Sequence, residues 1–281
     1  MEPVILDGKA VSDRIKIDLA RRVKSLVDAG HPAPILATIL VGSDPASATY
    51  VKMKGRACES VGMVSKKIEL PGTTTTEELL KIIDECNQNP EISGILLQHP
   101  VPGAIDERAA FDRILPEKDV DGVTSCGFGQ ISFGLPAYPS CTPAGMIRLI
   151  DEYKISLSGK RAVVVGRSPI LGRPMAMLLL NRDCTVTICH SRTADLQAEL
   201  KDADIVVAAV GKPNFIRGEW LKEGVVVLDA GYNPGNVGDV EYDSCLKKSS
   251  HITPVPGGVG PMTIAMLLTH SVESAERKYL K

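Results

Sequence analysis

The chain has 281 residues, too many for one ordinary core and enough for two α/β domains. Hydrophobic residues make up 44% and charged residues 23%, an ordinary globular mixture. A formal net charge of −2 gives no electrostatic basis for a nucleic-acid or anionic-membrane partner.

The first residues, MEPVILDGKAVSDR, lack a charged segment followed by an apolar core, and no uncharged apolar stretch reaches bilayer length. Seven cysteines are scattered without a CxxC pair, which fits reduced, packed thiols in a cytoplasmic protein. The five histidines show no HxxxH or HExxH spacing, so no metal is expected.

Strand-like apolar runs then alternate with helix-like segments, the pattern of parallel sheets with crossover helices. PILATILV (34–41) reads as a strand, 45–62 as a helix and VSKKIEL (64–70) as a second strand. A helix over 75–88 and the strand GILLQ (94–98) follow. Within the first helix Tyr50 and Lys54 lie four apart and share one face. That face is either a solvated surface or a lysine held for proton work. From about Lys118 to Pro143 the chain is rich in glycine and proline and reads as the crossing between domains. The second half begins with a helix near 143–153 and the strand KRAVVVG (160–166). Helix ILGRPMAMLLLNR, strand TVTICH, helix DLQAELKDA and strands DIVVAAV and GVVVLDAG come next, and a helix runs from Pro261 onward. The expected class is α/β with two domains and an active-site cleft between them. Residues 1–120, with a C-terminal helix of about 268–281, form the first domain. Residues 121–142 form the connection, and 143–267 a Rossmann-like nucleotide domain.

VVVGRSPILGRP follows a strand and opens a helix. It is not GxGxxG, since Ser168 stands between Gly166 and Gly172. Gly166 still permits the tight turn and Gly172 the close approach of helix to strand, leaving N–H groups and a positive dipole for a phosphate. The next strand ends in CHSRT, with His190, Ser191 and Arg192 where an NAD site carries a carboxylate. Together with Arg167 these donors suit a 2′-phosphate and favour NADP, unless the arginines are only solvated. TPVPGGVGPMT (253–263) sets three glycines and three prolines within eleven residues, a density that suits close approach to a flat ligand.

Several stretches together resemble one family, the bifunctional methylenetetrahydrofolate dehydrogenase/methenyltetrahydrofolate cyclohydrolases. They are VGSDPASATYVKMKGRACESVGM, GILLQHPVP, PEKDVDGVT, CTPAGM, GRSPILGRPM and TPVPGGVGPMTIAML, in the family's order and along nearly the full chain. The resemblance implies an NADP-dependent enzyme with a folate substrate and a homodimeric state. It assigns Tyr50 and Lys54 to the folate site, Gln98 beside the lysine and Asp121 to the pterin ring. It also gives substrate contacts to the backbone of Pro256, Gly257 and Gly258. Arg167 and Ser191 match positions that hold the 2′-phosphate, while Ser168, Ile170 and Thr253 fall where relatives meet the rest of the dinucleotide. His99, Gly127 and Gln130 depart from the commonest pattern.

The chemistry fits these residue types. Oxidation of the methylene bridge gives a cation shared by two nitrogens, so the first step is chiefly a matter of positioning. Hydration of that cation needs proton transfers, for which Lys54 is suited, with Gln98 holding it, Tyr50 stacking and Asp121 accepting the amino-pyrimidine edge. Asp119 competes with Asp121 for that role, and either can instead be a loop cap. His99, Cys126 and Cys141 read as structural. The rival readings are a two-domain NADP-dependent dehydrogenase of a small acid and a non-catalytic NADP-binding relative.

Overall fold

The protein is represented by a computed structural model that describes residues 2–280. In chain order the elements are β1 (Val4–Ile5), α1 (Gly8–Asp28), β2 (Ile35–Val41), α2 (Pro45–Ser60), β3 (Val64–Leu70), α3 (Thr76–Gln88) and β4 (Ile92–Leu97). Then follow α4 (Glu107–Arg113), α5 (Ser125–Ser132), α6 (Cys141–Glu152), β5 (Arg161–Val165), α7 (Gly172–Leu180) and β6 (Thr185–Cys189). The last are α8 (Leu196–Leu200), β7 (Ile205–Ala208), β8 (Val225–Asp229), α9 (Tyr242–Leu246), β9 (Ser249–Ile252) and α10 (Val259–Tyr279). They divide into two units. The first holds Asp13–Gln130, Pro136–Pro139 and the chain from Ile264, and the second holds the chain through Ser12, Ile131–Leu135 and Ser140–Thr263.

The first unit is built on a three-stranded parallel sheet in the order β3-β2-β4. Central β2 and neighbouring β4 are buried almost throughout, while edge strand β3 alternates between exposed and half-buried positions. An all-parallel sheet is covered on both faces, which is why its inner strands read as unbroken apolar runs. Helix α2 starts where Asp44 accepts the Ser47 N–H at 2.7 Å and Pro45 fills the first turn. Helix α3 starts on a capping box between Thr75 and Glu78. The sequence reading gives no element to residues 8–28, yet they form α1, whose Leu19, Val23 and Leu26 are buried at helical spacing. It also treats residues 118–143 as loop, whereas α5 forms there despite Gly127 and Gly129. The Thr124 hydroxyl accepts the Gly127 N–H at 3.0 Å and caps that helix, so local bonding outweighs poor propensity.

The second unit carries a six-stranded parallel sheet in the order β1-β9-β8-β7-β5-β6. The sequence reading assigns residues 1–120 to the first domain; in the structure Val4 and Ile5 pair with His251 and Ile252 at the edge of this second sheet. Ala162, Val164, Ile205, Val207, Val226 and Leu228 pack on one face of the sheet, and Val163, Val165, Val206, Ala208, Val225 and Val227 on the other. From β5 the chain runs outward to β6, then returns to β7 on the opposite side. The carboxyl ends of β5 and β7 thus mark a switch point, where open α/β sheets bind ligands.

Two of the quoted motifs meet here. A Cβ on Gly145 of CTPAGM would lie 2.8 Å from Cβ of Met262 in GGVGPMT, and the Thr142 and Thr263 hydroxyls bond at 3.0 Å. Glycine is therefore required where α6 crosses the start of α10. A Gly145→Ala variant is expected to lose about 1–3 kcal/mol of stability by overpacking, read as a lower denaturation midpoint with an unchanged slope in urea.

Candidate functional site

In the first unit Tyr50 and Lys54 lie on one face of α2, Tyr50 with 41% of its surface exposed and Lys54 half-buried. The Lys54 ammonium donates to Oε1 of Gln98 at 3.0 Å. Gln98 follows β4 directly and is 7% exposed. Its own Nε2 donates to the His99 carbonyl at 2.7 Å, which fixes the amide with its oxygen toward the lysine. The lysine is thus held by a neutral acceptor. A carboxylate in that place would bind the ammonium form preferentially. His99 points elsewhere, its Nδ1 lying 3.6 Å from Glu107 Oε1 on an exposed edge.

The KDVDG motif resolves into separate tasks. Lys118 Nζ donates to the carbonyls of Cys86, Asn87 and Asn89 at 2.7–2.9 Å and so closes the carboxyl end of α3. Burial lowers its pKa. Asp119 is buried and accepts the Val123 and Thr124 N–H groups at 3.0 and 2.9 Å, while burial pushes its pKa upward. It is the loop cap. Gly122 follows with φ of +69°, in the left-handed region that favours glycine. Asp121 is half-exposed, and among the described residues its carboxylate makes no hydrogen bond or ion pair. Of the two competing aspartates, Asp119 is the one the loop uses as its cap. Gly127, one of the departures, sits against this cap. A Cβ there would approach Thr124 Oγ1 to 3.1 Å and Asp119 Oδ2 to 3.4 Å, so the loop tolerates a larger residue only by shifting. Gln130 is half-buried near the end of α5.

In the second unit Gly166 follows β5 with φ of +136°, and a Cβ there would lie 2.2 Å from the Ala209 carbonyl oxygen just beyond β7. A Cβ on Gly172 would lie 2.3 Å from the Gly166 carbonyl. Both glycines are required because the turn doubles back on the opening of α7. Ser168 completes it, its carbonyl accepting from Arg173 N at 3.1 Å and its hydroxyl from Gly172 N at 3.4 Å. The Ile170 carbonyl accepts from the Ser140 hydroxyl. Arg167, Ser168, Ser191 and Arg192 are exposed, and among the described residues neither guanidinium is paired with a carboxylate. Strands β5 and β6 pair from Arg161–Thr185 to Val165–Cys189, so the two donor groups leave adjacent strand ends. The turn after β6 is held by His190, whose Nδ1 accepts Arg192 N at 3.1 Å and whose N–H donates to Thr193 Oγ1 at 2.9 Å. The next carboxylate along the chain, Asp195, is taken up in capping α8. These donors fit a dinucleotide with a 2′-phosphate.

The proline–glycine loop is anchored at both ends. Thr253 is fully buried, and its hydroxyl accepts the Asp229 N–H at 2.7 Å, so its side chain is already engaged within the protein. The Gly257 carbonyl accepts Lys9 N at 2.8 Å, and a Cβ on Gly8 would meet the Gly258 carbonyl at 1.8 Å. Pro256 is exposed and Gly257 half-exposed. Two further aspartates shape the rest of the sheet's rim. Asp229 accepts three N–H groups, and burial pushes its pKa up to about 6. Asp239 accepts the successive N–H groups of Val210, Gly211 and Lys212 at 2.7–3.0 Å beyond β7.

These features define a two-unit α/β protein with a dinucleotide-type turn in one unit and a lysine–amide pair in the other. The chain belongs to the tetrahydrofolate dehydrogenase/cyclohydrolase family. The catalytic-domain model of that family matches residues 6–121, and its NAD(P)-binding-domain model matches residues 140–279. The chain is 64% identical over 276 residues to the bifunctional protein FolD of Shouchella clausii, covering 98% of this chain and 99% of that one. It resembles the crystal structure of the bifunctional FolD dehydrogenase/cyclohydrolase from Campylobacter jejuni with a TM-score of 0.96 and 45% identity, over 98% and 99% of the two chains. It also resembles the Trypanosoma brucei enzyme complexed with NADP cofactor and inhibitor, with a TM-score of 0.95 and 37% identity over 99% of both. Membership sets aside the small-acid dehydrogenase.

The sequence reading gave no role to His270. It is 3% exposed on α10, its Nδ1 lies 2.9 Å from the Val120 carbonyl, and its ring packs on Tyr138 with centroids 5.2 Å apart. A single histidine in the apolar run AMLLTHSV carries no spacing signal. Burial pushes its pKa down to about 4. The folded protein therefore holds it neutral while the unfolded chain takes up a proton below about 6.5. Stability from this group is complete above that pH and falls as pH drops toward 4, by about 3 kcal/mol at most. Urea denaturation from pH 7 to pH 4 is expected to show this loss in the parent protein and a shallower slope in His270→Asn.

Proposed function

We propose that this protein oxidises 5,10-methylenetetrahydrofolate with NADP and then hydrolyses the methenyl product to 10-formyltetrahydrofolate. The observation that carries the reading is the Lys54–Gln98 hydrogen bond beside an exposed Tyr50, in a chain whose other unit ends two adjacent strands in a glycine turn and a Ser-Arg turn.

NADP, when bound, supplies the hydride acceptor of the first step. Gly166 and Gly172 close the tight turn that would receive its pyrophosphate, and Arg167, Ser191 and Arg192 would take the 2′-phosphate, with Ser168 and Ile170 lining the turn. Thr253 contributes through its backbone, since its side chain is engaged with Asp229. Asp121 accepts paired N–H donors from the amino-pyrimidine edge, and Pro256 with Gly257 supplies the loop surface for the flat ring, while Gly258 is buried and supports that loop through its N–H bond to the Pro254 carbonyl. The Tyr50 ring stacks on the substrate and its hydroxyl orients it. In the second step water adds to the one-carbon bridge. Lys54 accepts a proton from that water and returns it to the ring nitrogen as the carbon–nitrogen bond opens, and the water's second proton leaves to solvent as the formyl carbonyl forms. Gln98 keeps Nζ in place through an acceptor that serves both amine and ammonium.

The chain is further proposed to act as a homodimer in the cytoplasm. Strand β6 is a sheet edge, and Phe133, Leu135 and Leu180 are exposed in the same unit, with Asn181 Nδ2 bonded to the Ile131 carbonyl at 2.8 Å. The seven cysteines are all free, as a reducing compartment keeps them. Among the described residues no helix is long and apolar enough to cross a membrane.

A Lys54→Met variant is expected to retain methylenetetrahydrofolate oxidation in part and to lose methenyl hydrolysis by at least about 100-fold, followed as decay of the methenyl absorbance. Unchanged hydrolysis removes Lys54 from the mechanism, and tight NADP binding with no folate turnover in the parent protein restores the non-catalytic reading. Replacing Arg192 by alanine is expected to raise KM for NADP about tenfold or more, leaving KM for NAD unchanged.

A further inference from the structure

We propose that His270 is a positioning residue for the Asp121 carboxylate, acting through the peptide that joins Val120 to Asp121. The inference rests on the reading of Asp121 as the folate contact, and it adds a residue from the last helix to that site.

Val120 is pinned by both of its ends. Its side chain presses on β4, where a Cβ on Gly94 would come within 2.5 Å of Val120 Cγ2. Its carbonyl lies 2.9 Å from His270 Nδ1. A carbonyl oxygen only accepts, so Nδ1 carries the proton and donates. On the far side of Asp121, the Asp119 carboxylate holds the N–H groups of Val123 and Thr124. Asp121 therefore sits between two clamps, one from its own loop and one from α10. The α10 clamp is itself backed. The His270 ring packs on Tyr138 at 37° between planes, and the Arg277 guanidinium lies 4.6 Å from the Tyr138 centroid on the same helix. Rotation of the Val120–Asp121 peptide would break this buried hydrogen bond. The peptide is held to one orientation, and the direction in which Asp121 leaves the backbone is held with it.

Asparagine places an amide nitrogen near the position of Nδ1, and leucine places a methyl group there, so His270→Asn and His270→Leu differ in the donor while both remove the ring. His270→Leu is expected to raise KM for methylenetetrahydrofolate about tenfold. Its KM for NADP and its kcat at saturating folate are expected to stay within about twofold of the parent. His270→Asn is expected to keep the folate KM within about threefold. Equal folate KM values in the two variants, or a matching rise in KM for NADP, overturn the inference. An Asp121→Asn variant separates the two layers. If it leaves the folate KM unchanged, the reading of Asp121 fails. If it raises the KM while His270→Leu does not, the role of His270 alone fails. Should His270→Leu not fold, the parent protein labelled with nitrogen-15 histidine provides the readout. The Nδ1–H tautomer is expected, with a resonance that moves on adding a folate analogue and not on adding NADP. The Nε2–H tautomer, or no response to the analogue, overturns the inference.

Discussion

Every strand pairing in both sheets is parallel, and the rest of the protein's organisation follows from that constraint. Parallel strands require crossover connections, and they collect their carboxyl ends along one rim of each sheet. Gln98 follows β4, Gly166 follows β5, Ser191 follows β6, and the proline–glycine loop follows β9. Within each sheet, residues far apart in the chain reach one rim because the parallel strands deliver them there. Their side chains are then set by short local bonds, such as the Gln98 amide on the His99 carbonyl or the His190 ring on the Arg192 N–H.

Within this frame the polar groups divide between holding and binding. Lys118, Asp119 and Asp239 satisfy backbone groups and are used up in doing so. Lys54 has an amide for its partner, and among the described residues Asp121 and the guanidiniums of Arg167 and Arg192 are bonded to no other side chain. An exposed charged group with no counter-charge in the fold is free to meet the opposite charge of a ligand. The KDVDG motif shows this side by side, with Lys118 and Asp119 bonded into the fold and Asp121 half-exposed beside them.

The strands were legible because burial on both faces writes unbroken apolar runs such as ILATILV and AVVV. The glycine turn was legible because a positive φ and a close backbone approach leave few alternatives to glycine. The proposed roles of Tyr50 with Lys54 and of Ser191 with Arg192 came from the resemblance carried by the longer motifs, since those residue types at those offsets also suit a solvated face. What stayed hidden depends on partners distant in sequence. Val4 and Ile5 are strand residues only because β9, about 250 positions later, offers them an edge. Helix α5 contains two glycines and forms because Thr124 caps it. The separate duties of Asp119 and Asp121 cannot be told from two aspartates two positions apart, since the distinction is which one the backbone N–H groups of residues 123 and 124 reach. His270 belongs to the same class, its bond to Val120 spanning 150 positions.

The carboxylate of Asp239 fills a cradle of three consecutive N–H groups beyond β7. Such a cradle attracts anions. Because the protein plugs it with a charge of its own, that part of the rim is electrostatically spent. That cradle is closed to an outside phosphate, so a cofactor held as proposed would meet the turn after β5 instead.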